Sequence, residues 1–251
     1  MRACVIIPAR FKSSRFPGKP LAKLLKKEMI IWVAELAAKA VGKSNVYIAT
    51  DDIAISNKVK EYRFKSIMTD SELLTGTDRV AKAAMNLDYD LFVNVQGDEP
   101  LVDPHDILKS IKLKKEFPSH IINSFCLINE DEDPTNKNIP KVVTNEKNEL
   151  IYISRAIIPN SKNNNLKNIK YKKQVCIYSY FKEELKEFSE YGRKSFLEKN
   201  EDIEILRFFE FDKKIKMFET KKSSLAVDVL SDIKKVEKEL NKQSQKNDRN
   251  K

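Results

Sequence analysis

Apolar positions along this chain follow two alternating rhythms. Four short runs have strand character: Ala3–Ala9 (ACVIIPA), 45–50 (NVYIAT), 65–69 and Leu91–Val95 (LFVNV). Runs of this length with few polar interruptions suit strands buried on both faces of a parallel sheet. Between them, 29–40 repeats apolar residues at helical spacing, 53–62 does so over a narrower stripe, and 77–87 is rich in Ala and Val. Strand–helix alternation with short connections predicts a doubly wound, mostly parallel α/β sheet. Another helix is expected over Pro104–Glu116, opened by Asp103-Pro104.

The pattern changes after Phe125. Segments 139–144, 149–154 and 174–180 predict a mixed or antiparallel set of strands, broken by the polar stretch 160–170 (NSKNNNLKNIK). A helix over 201–209, a strand over Lys214–Glu219 and an amphipathic helix over 231–240 follow, the last with Ser231 and Asp232 as candidate caps. The expected division is a core of 1–125 plus 200–240, an inserted mixed-sheet subdomain at 126–199, and a disordered polar tail at 241–251.

Composition narrows the classes. The chain has 251 residues, enough for one large domain with an insertion. Its longest apolar runs fall well short of the roughly 20 residues of a membrane span. With no basic-then-apolar leader before the first strand, a cytoplasmic protein is expected. Three cysteines (Cys4, Cys126, Cys176) lie in strand-like runs and match no metal or disulfide spacing, so buried thiols are expected. Two histidines, His105 and His120, leave little material for a His-rich metal site or a Ser-His-Asp triad. The formal net charge is +10, but lysine scattered among Asn, Glu and Ser describes a solvated surface better than a nucleic-acid face.

The first strand empties into 10–20 (RFKSSRFPGKP), a loop carrying Arg10, Lys12, Arg15 and Lys19, with Ser13 among them. Ligands of open α/β sheets sit beyond the carboxyl ends of the strands, so these cations are placed for a polyphosphate. Neither the Walker pattern nor the dinucleotide G-x-G-x-x-G pattern is present, which leaves side-chain cations as the main phosphate contacts. The fourth run ends in 96–100 (QGDEP), where Asp98 is placed to ligate a divalent cation beside phosphates. Asp228, between a late strand and the last helix, is a second carboxylate of that kind; a plain loop residue is its simpler reading. Thr75-Gly76-Thr77-Asp78-Arg79 opens a helix, with Thr77 or Asp78 as caps and Arg79 available to a base edge. Arg155 ends a strand, where it could grip a carboxylate or form a surface ion pair.

In order, these segments resemble the 3-deoxy-manno-octulosonate cytidylyltransferases. The matching stretches are 6–21 (IIPARFKSSRFPGKPL), 49–51 (ATD), 75–81 (TGTDRVA), 93–102 (VNVQGDEPLV), 141–143 (KVV), 152–159 (YISRAIIP), 177–180 (IYSY), 197–198 (LE), 204–207 (EILR) and 227–228 (VD). The resemblance implies a homodimeric nucleotidyltransferase-like fold, dimerised through its inserted subdomain, that couples CTP to an acidic eight-carbon sugar and releases pyrophosphate. It implies that Arg10 and Lys19 hold the triphosphate, that Ser13 and Arg79 help select cytosine, and that Asp98 and Asp228 bind Mg²⁺. Arg10, Lys19 and Asp98 are the expected catalytic residues, and Ala9, Arg15 and Thr77 complete the expected nucleotide side. Gln96, Arg155, Gln174, Tyr178 and Glu204 make the expected sugar side.

Departures from the family pattern lie on that sugar side. Gln174 stands where a histidine is usual, Ile205 where a glutamine is usual, and 194–202 is atypical. These changes suggest a modified octulosonate as acceptor. The competing readings are a cytidylyltransferase for another α-keto acid sugar, such as a sialic acid, and a non-catalytic basic RNA- or anion-binding protein.

Overall fold

Alternate residues of the first strand feed two different cores, and that alternation organises the molecule. The structure, a computed structural model, describes residues 1–12, 16–130, 132–162, 169–221 and 225–249, as backbone alone from 243. Strand β1 (Ala3–Ala9) sends Cys4 and Ile6 into one hydrophobic cluster and Val5, Ile7 and Ala9 into the other. Successive strand side chains point to opposite faces, so a run apolar at every position is buried on both.

A short hairpin, β2 (Lys23–Leu24) and β3 (Lys27–Glu28), leads into helix α1 (Met29–Val41). Then come β4 (Val46–Thr50), α2 (Ile53–Glu61), β5 (Lys65–Met68), α3 (Gly76–Met85), β6 (Leu91–Val95) and α4 (Pro104–Glu116). These match the expected strands and helices. Asp52, Thr75 and Asp103 cap α2, α3 and α4 through their side chains, satisfying amide donors that a helix start leaves unpaired.

The second half comprises β7 (His120–Leu127), β8 (Lys141–Thr144), β9 (Leu150–Ser154), β10 (Lys172–Phe181), α5 (Lys182–Glu190), α6 (Phe196–Glu201), β11 (Lys214–Glu219) and α7 (Leu230–Arg249). A nine-stranded sheet has the order β11-β7-β10-β6-β1-β4-β5, with β8 and β9 attached beside β10. β10 runs antiparallel to both neighbours, β6 and β7, while β11 pairs with β7, and β6, β1, β4 and β5 with one another, in parallel. Segment 126–199 thus contributes a strand to the middle of the sheet and a two-strand arm at its flank.

Several features depart from the expected elements, among them the β2–β3 hairpin and helix α5, over which none was expected. β7 is a full strand, buried from Ile121 to Cys126, over a stretch with no expected element. The helix expected over 201–209 is two pieces: α6, then a 3₁₀ segment Glu204–Phe211, separated by Asp202 in the left-handed region at φ 51°. The tail expected to be disordered continues α7 as helix as far as Arg249. That helix is anchored by Val236 and Leu240, which pack with Leu24, Met29 and Val227, and Glu237 accepts from the Leu25 amide at 2.9 Å. Once such a face is docked, polar residues extend the helix by propagation rather than nucleation.

Cys4 and Cys126 are buried, Cys176 is half-buried, and all three are free thiols. Burial pushes the Cys4 thiol up to about 12. Among the described residues no helix is long and apolar enough to cross a membrane.

Candidate active site

β1 and β6 are parallel neighbours, so their carboxyl ends open side by side. The turn after β6 passes close over β1: a Cβ on Gly97 would lie 2.9 Å from the Pro8 carbonyl oxygen. Only glycine permits that approach, and the turn delivers Asp98 to the mouth of the sheet. There Lys19 Nζ donates to Asp98 Oδ2 at 2.5 Å and to the Val227 carbonyl at 3.0 Å. The Val227 amide in turn donates to the Asp98 carbonyl at 3.0 Å. The cationic loop, the turn after β6 and the segment carrying Asp228 are therefore stitched together. Asp232 accepts from the Asp228 and Val229 amides, both at 3.0 Å, which fixes the entry to α7.

These segments border a cleft of about 700 Å³. Its walls include Ala9, Arg10, Lys19, Arg79, Gln96, Asp98, Arg155, Gln174, Tyr178, Glu204 and Asp228. Eleven residues singled out in the sequence thus share one cavity. Ser13 and Arg15 lie outside the described residues.

Thr77 is a correction. It is buried and does not line the cleft; its amide donates to Glu204 Oε2 at 2.7 Å and its hydroxyl accepts from Asn94 at 3.4 Å. Its place in the second position of α3 turns its amide inward, where Glu204 meets it. Thr75, not Thr77 or Asp78, is the cap: its hydroxyl accepts from the Asp78 amide at 3.1 Å.

Arg79 is almost fully buried yet reaches the cleft wall. Its Nη2 donates to Asp51 Oδ2 at 3.1 Å, and its Nη1 bonds the Thr69 hydroxyl. Desolvation pulls its pKa down, opposed by Asp51 and reinforced by Arg10. Asp51 also accepts from the Phe11 amide at 3.2 Å, which ties it to the cationic loop. Asp51 stands in the ATD stretch, where nothing in its sequence context marks this role.

The residues expected on the sugar side are held by hydrogen bonds within the protein. Both Glu204 oxygens accept amides at the start of α3, Gly76 N at 2.9 Å and Thr77 N at 2.7 Å. A helix start presents unpaired donors and the positive end of the helix dipole, both suited to a carboxylate. Burial nevertheless raises the Glu204 pKa, with the Thr77 bonds opposing. Gln96 packs against Gly76, where a Cβ would meet its amide group at 3.1 Å. Gln174 Nε2 donates to Asn123 Oδ1 at 3.0 Å and to the Tyr178 hydroxyl at 3.1 Å. Burial raises the Tyr178 phenol, so it stays protonated. Arg155 donates to the carbonyls of Glu201 (2.5 Å), Lys137 (3.0 Å) and Asp202 (3.1 Å). Those bonds set the angle of the fork, and of its five donors they commit three. Ile205 is a second correction: it is buried in the hydrophobic core and does not line the cleft, so its side chain cannot mark the acceptor directly.

Among the described residues no three His, Cys, Asp or Glu side chains cluster as a metal cage. Asp98 and Asp228 offer two hard carboxylate donors at a cleft rimmed with cations. That donor set suits Mg²⁺, which takes one or two carboxylates and completes its shell with water and substrate phosphate.

The cytidylyltransferase family model matches residues 4–215. A 3-deoxy-manno-octulosonate cytidylyltransferase of Geotalea uraniireducens is 38% identical over 252 residues, covering 96% of this chain and all of that one. An 8-amino-3,8-dideoxy-manno-octulosonate cytidylyltransferase of Shewanella baltica is 37% identical over 250 residues, covering 96% and 99%. The solved structure of a CMP:2-keto-3-deoxy-manno-octonic acid synthetase complexed with CTP superposes with a TM-score of 0.87 at 31% identity, covering 97% of this chain and 100% of the other. Full-length coverage at these identities, together with the convergence of the motif residues on one cleft, places the chain in the 3-deoxy-manno-octulosonate cytidylyltransferase family.

Proposed function

We propose that this protein transfers the cytidylyl group of CTP to an acidic 3-deoxy-octulosonate-type sugar, forming the CMP-sugar and pyrophosphate. The observation that carries the reading is the Lys19–Asp98–Val227 linkage, which brings the cationic loop and both candidate metal ligands to one cleft.

The sugar's anomeric hydroxyl oxygen forms a bond to the α-phosphorus of CTP. The bond from that phosphorus to the bridging oxygen breaks, pyrophosphate leaves with the electron pair, and the hydroxyl proton passes to solvent. Negative charge grows on the leaving group, and Arg10 and Lys19 are placed to stabilise it. Lys19 can keep its bond to the Val227 carbonyl while another of its three N–H donors turns to a phosphate. Asp98 and Asp228 would hold Mg²⁺, which when bound offsets phosphate charge. Arg79, oriented by Asp51, faces the nucleotide. Arg155, Gln96 and the Gln174–Tyr178 pair face the acidic sugar, with a fork available for its carboxylate. No protein nucleophile is required.

We also propose that the protein is a homodimer formed through 126–199. The exposed Ile151 and Phe196, at 59% and 76% exposure, support that surface; sedimentation at the monomer mass would rule it out.

Pyrophosphate release from CTP and Mg²⁺ across an acceptor panel tests the reading. Turnover is expected with 3-deoxy-manno-octulosonate or its 8-amino analogue. Turnover with a sialic acid alone would move the acceptor class, and RNA binding without release on any acid would replace enzyme with binding protein.

A further inference from the structure

Arg207 is fully buried and uses every donor it has. Nε and Nη2 grip Glu198 in bidentate fashion at 2.7 Å each. Nη1 and Nη2 grip Asp78 at 2.8 and 3.1 Å, and Nη1 also reaches the Phe188 carbonyl at 3.2 Å. The guanidinium carbon lies 3.8 Å from the centre of the Phe188 ring. Two carboxylates around one cation carry a net negative charge into a dry interior. Such clusters often add no stability over an apolar replacement of the same shape. What such a cluster can supply instead is fixed geometry.

Both carboxylates belong to helix starts that border the cleft. Asp78 occupies the third position of α3 and accepts from the capping Thr75 hydroxyl at 2.6 Å. Glu198 occupies the third position of α6 and forms a reciprocal capping box with Ser195. Arg79 follows Asp78 directly and reaches the nucleotide side. Glu201, at the end of α6, accepts from the Arg155 amide at 2.8 Å and its carbonyl holds Arg155 Nε. Glu204, on the same 3₁₀ segment as Arg207, takes the Gly76 and Thr77 amides. One short segment thus grasps the start of α3 twice and the start of α6 once.

We infer that Arg207 is a positioning residue for cytidylyl transfer: it holds the nucleotide-side wall carrying Arg79 and the sugar-side wall carrying Arg155 in register. The inference rests on the proposed function for its kinetic consequence, but its structural content stands apart from it. Alignment of two substrates is steep in rate, since a misplacement of about 1 Å costs on the order of 100-fold. An Arg207→Lys variant keeps the charge and loses the bidentate fork.

The test compares Arg207→Lys with the neutral triple variant D78N/E198Q/R207M, which keeps the cluster's volume if the single variant fails to fold. Hydrogen–deuterium exchange of 75–79 and 195–203 is read beside kcat and both KM values. The expected result is a folded protein whose two segments lose protection together, with kcat down about 10- to 100-fold and the KM for CTP changed far less. Unchanged exchange in both segments, in whichever variant folds, overturns the inference even if the wild type shows no transferase activity. Wild-type kcat in a folded variant overturns it as well. Loss of exchange protection with an inactive wild type would uphold the clamp and refute the proposed function instead.

Discussion

Asp51 couples Arg79 to the N-terminal cationic loop through its two oxygens, one at 3.1 Å from the Arg79 guanidinium and the other at 3.2 Å from the Phe11 amide. The pair is nearly dry, with side-chain exposures of 2% and 7%. Removing the carboxylate strands a buried cation, which costs about 3–5 kcal/mol. Asp51→Ala is therefore expected to unfold at markedly lower urea, and Asp51→Asn to fold but bind CTP more weakly. An Asp51→Asn variant with unaltered CTP affinity would show that this link does not shape the nucleotide side.

Asp98→Ala is expected to abolish pyrophosphate release while leaving the melting temperature within a few degrees of the wild type. Its side chain is 25% exposed, and the Val227 amide bonds its backbone rather than its carboxylate. Chelation of Mg²⁺ should reproduce the loss and re-addition should reverse it, with Asp228→Asn needing more Mg²⁺ for half-maximal rate. Full activity in excess EDTA would remove the metal from the reaction.

Gln174→Ala is expected to raise the KM for the acidic sugar several-fold and leave that for CTP unchanged, because it releases the Tyr178 hydroxyl from a 3.1 Å bond. A net hydrogen-bond contribution of about 1 kcal/mol corresponds to roughly that change. Gln174→His, which introduces the residue that the motif resemblance leads one to expect there, should alter the preference between 3-deoxy-manno-octulosonate and its 8-amino analogue. Equal preference in both proteins would detach position 174 from acceptor choice.

Glu204 supplies a pH test. Burial raises its folded-state pKa above the ordinary carboxyl value of 4.5, so the folded protein binds this proton more tightly than the unfolded chain. Its contribution is fully present below pH 4.5 and is lost as pH rises through the raised value. Glu204→Gln cannot ionise, so its stability relative to the wild type should improve as pH climbs through that window. Urea midpoints of both proteins across the range measure this. A wild type that gains on the variant instead would mean that the Gly76 and Thr77 amides outweigh desolvation.

Much of the nucleotide side is legible before folding. Ala3–Ala9 and Leu91–Val95 announce themselves as strands because burial on both faces leaves almost no polar position, and the loops after them carry chemistry that parallel-sheet topology brings together. The sugar side is less legible. Glu204, expected at the sugar, lines the cleft while both its oxygens are held by the start of α3, and on the expected nucleotide side Thr77 turns its amide inward to Glu204. Ile205 reads as a lost polar contact, yet its side chain belongs to the core. Arg207 and Asp51 sit inside matching stretches, but a motif does not say whether an arginine meets substrate or two buried carboxylates.

From the chain alone come the alternation of strands and helices and the clustering of cations and carboxylates just after two of the strands, all properties of neighbours within a few residues. Tertiary structure decides that β10 enters the sheet antiparallel between β6 and β7, that Asp98 and Asp228 line one cleft, and that Arg207 faces inward. Those outcomes depend on hydrogen-bond partners far apart in sequence, and a donor's partner is chosen by which groups share its desolvated space, a condition that exists only once the chain has packed.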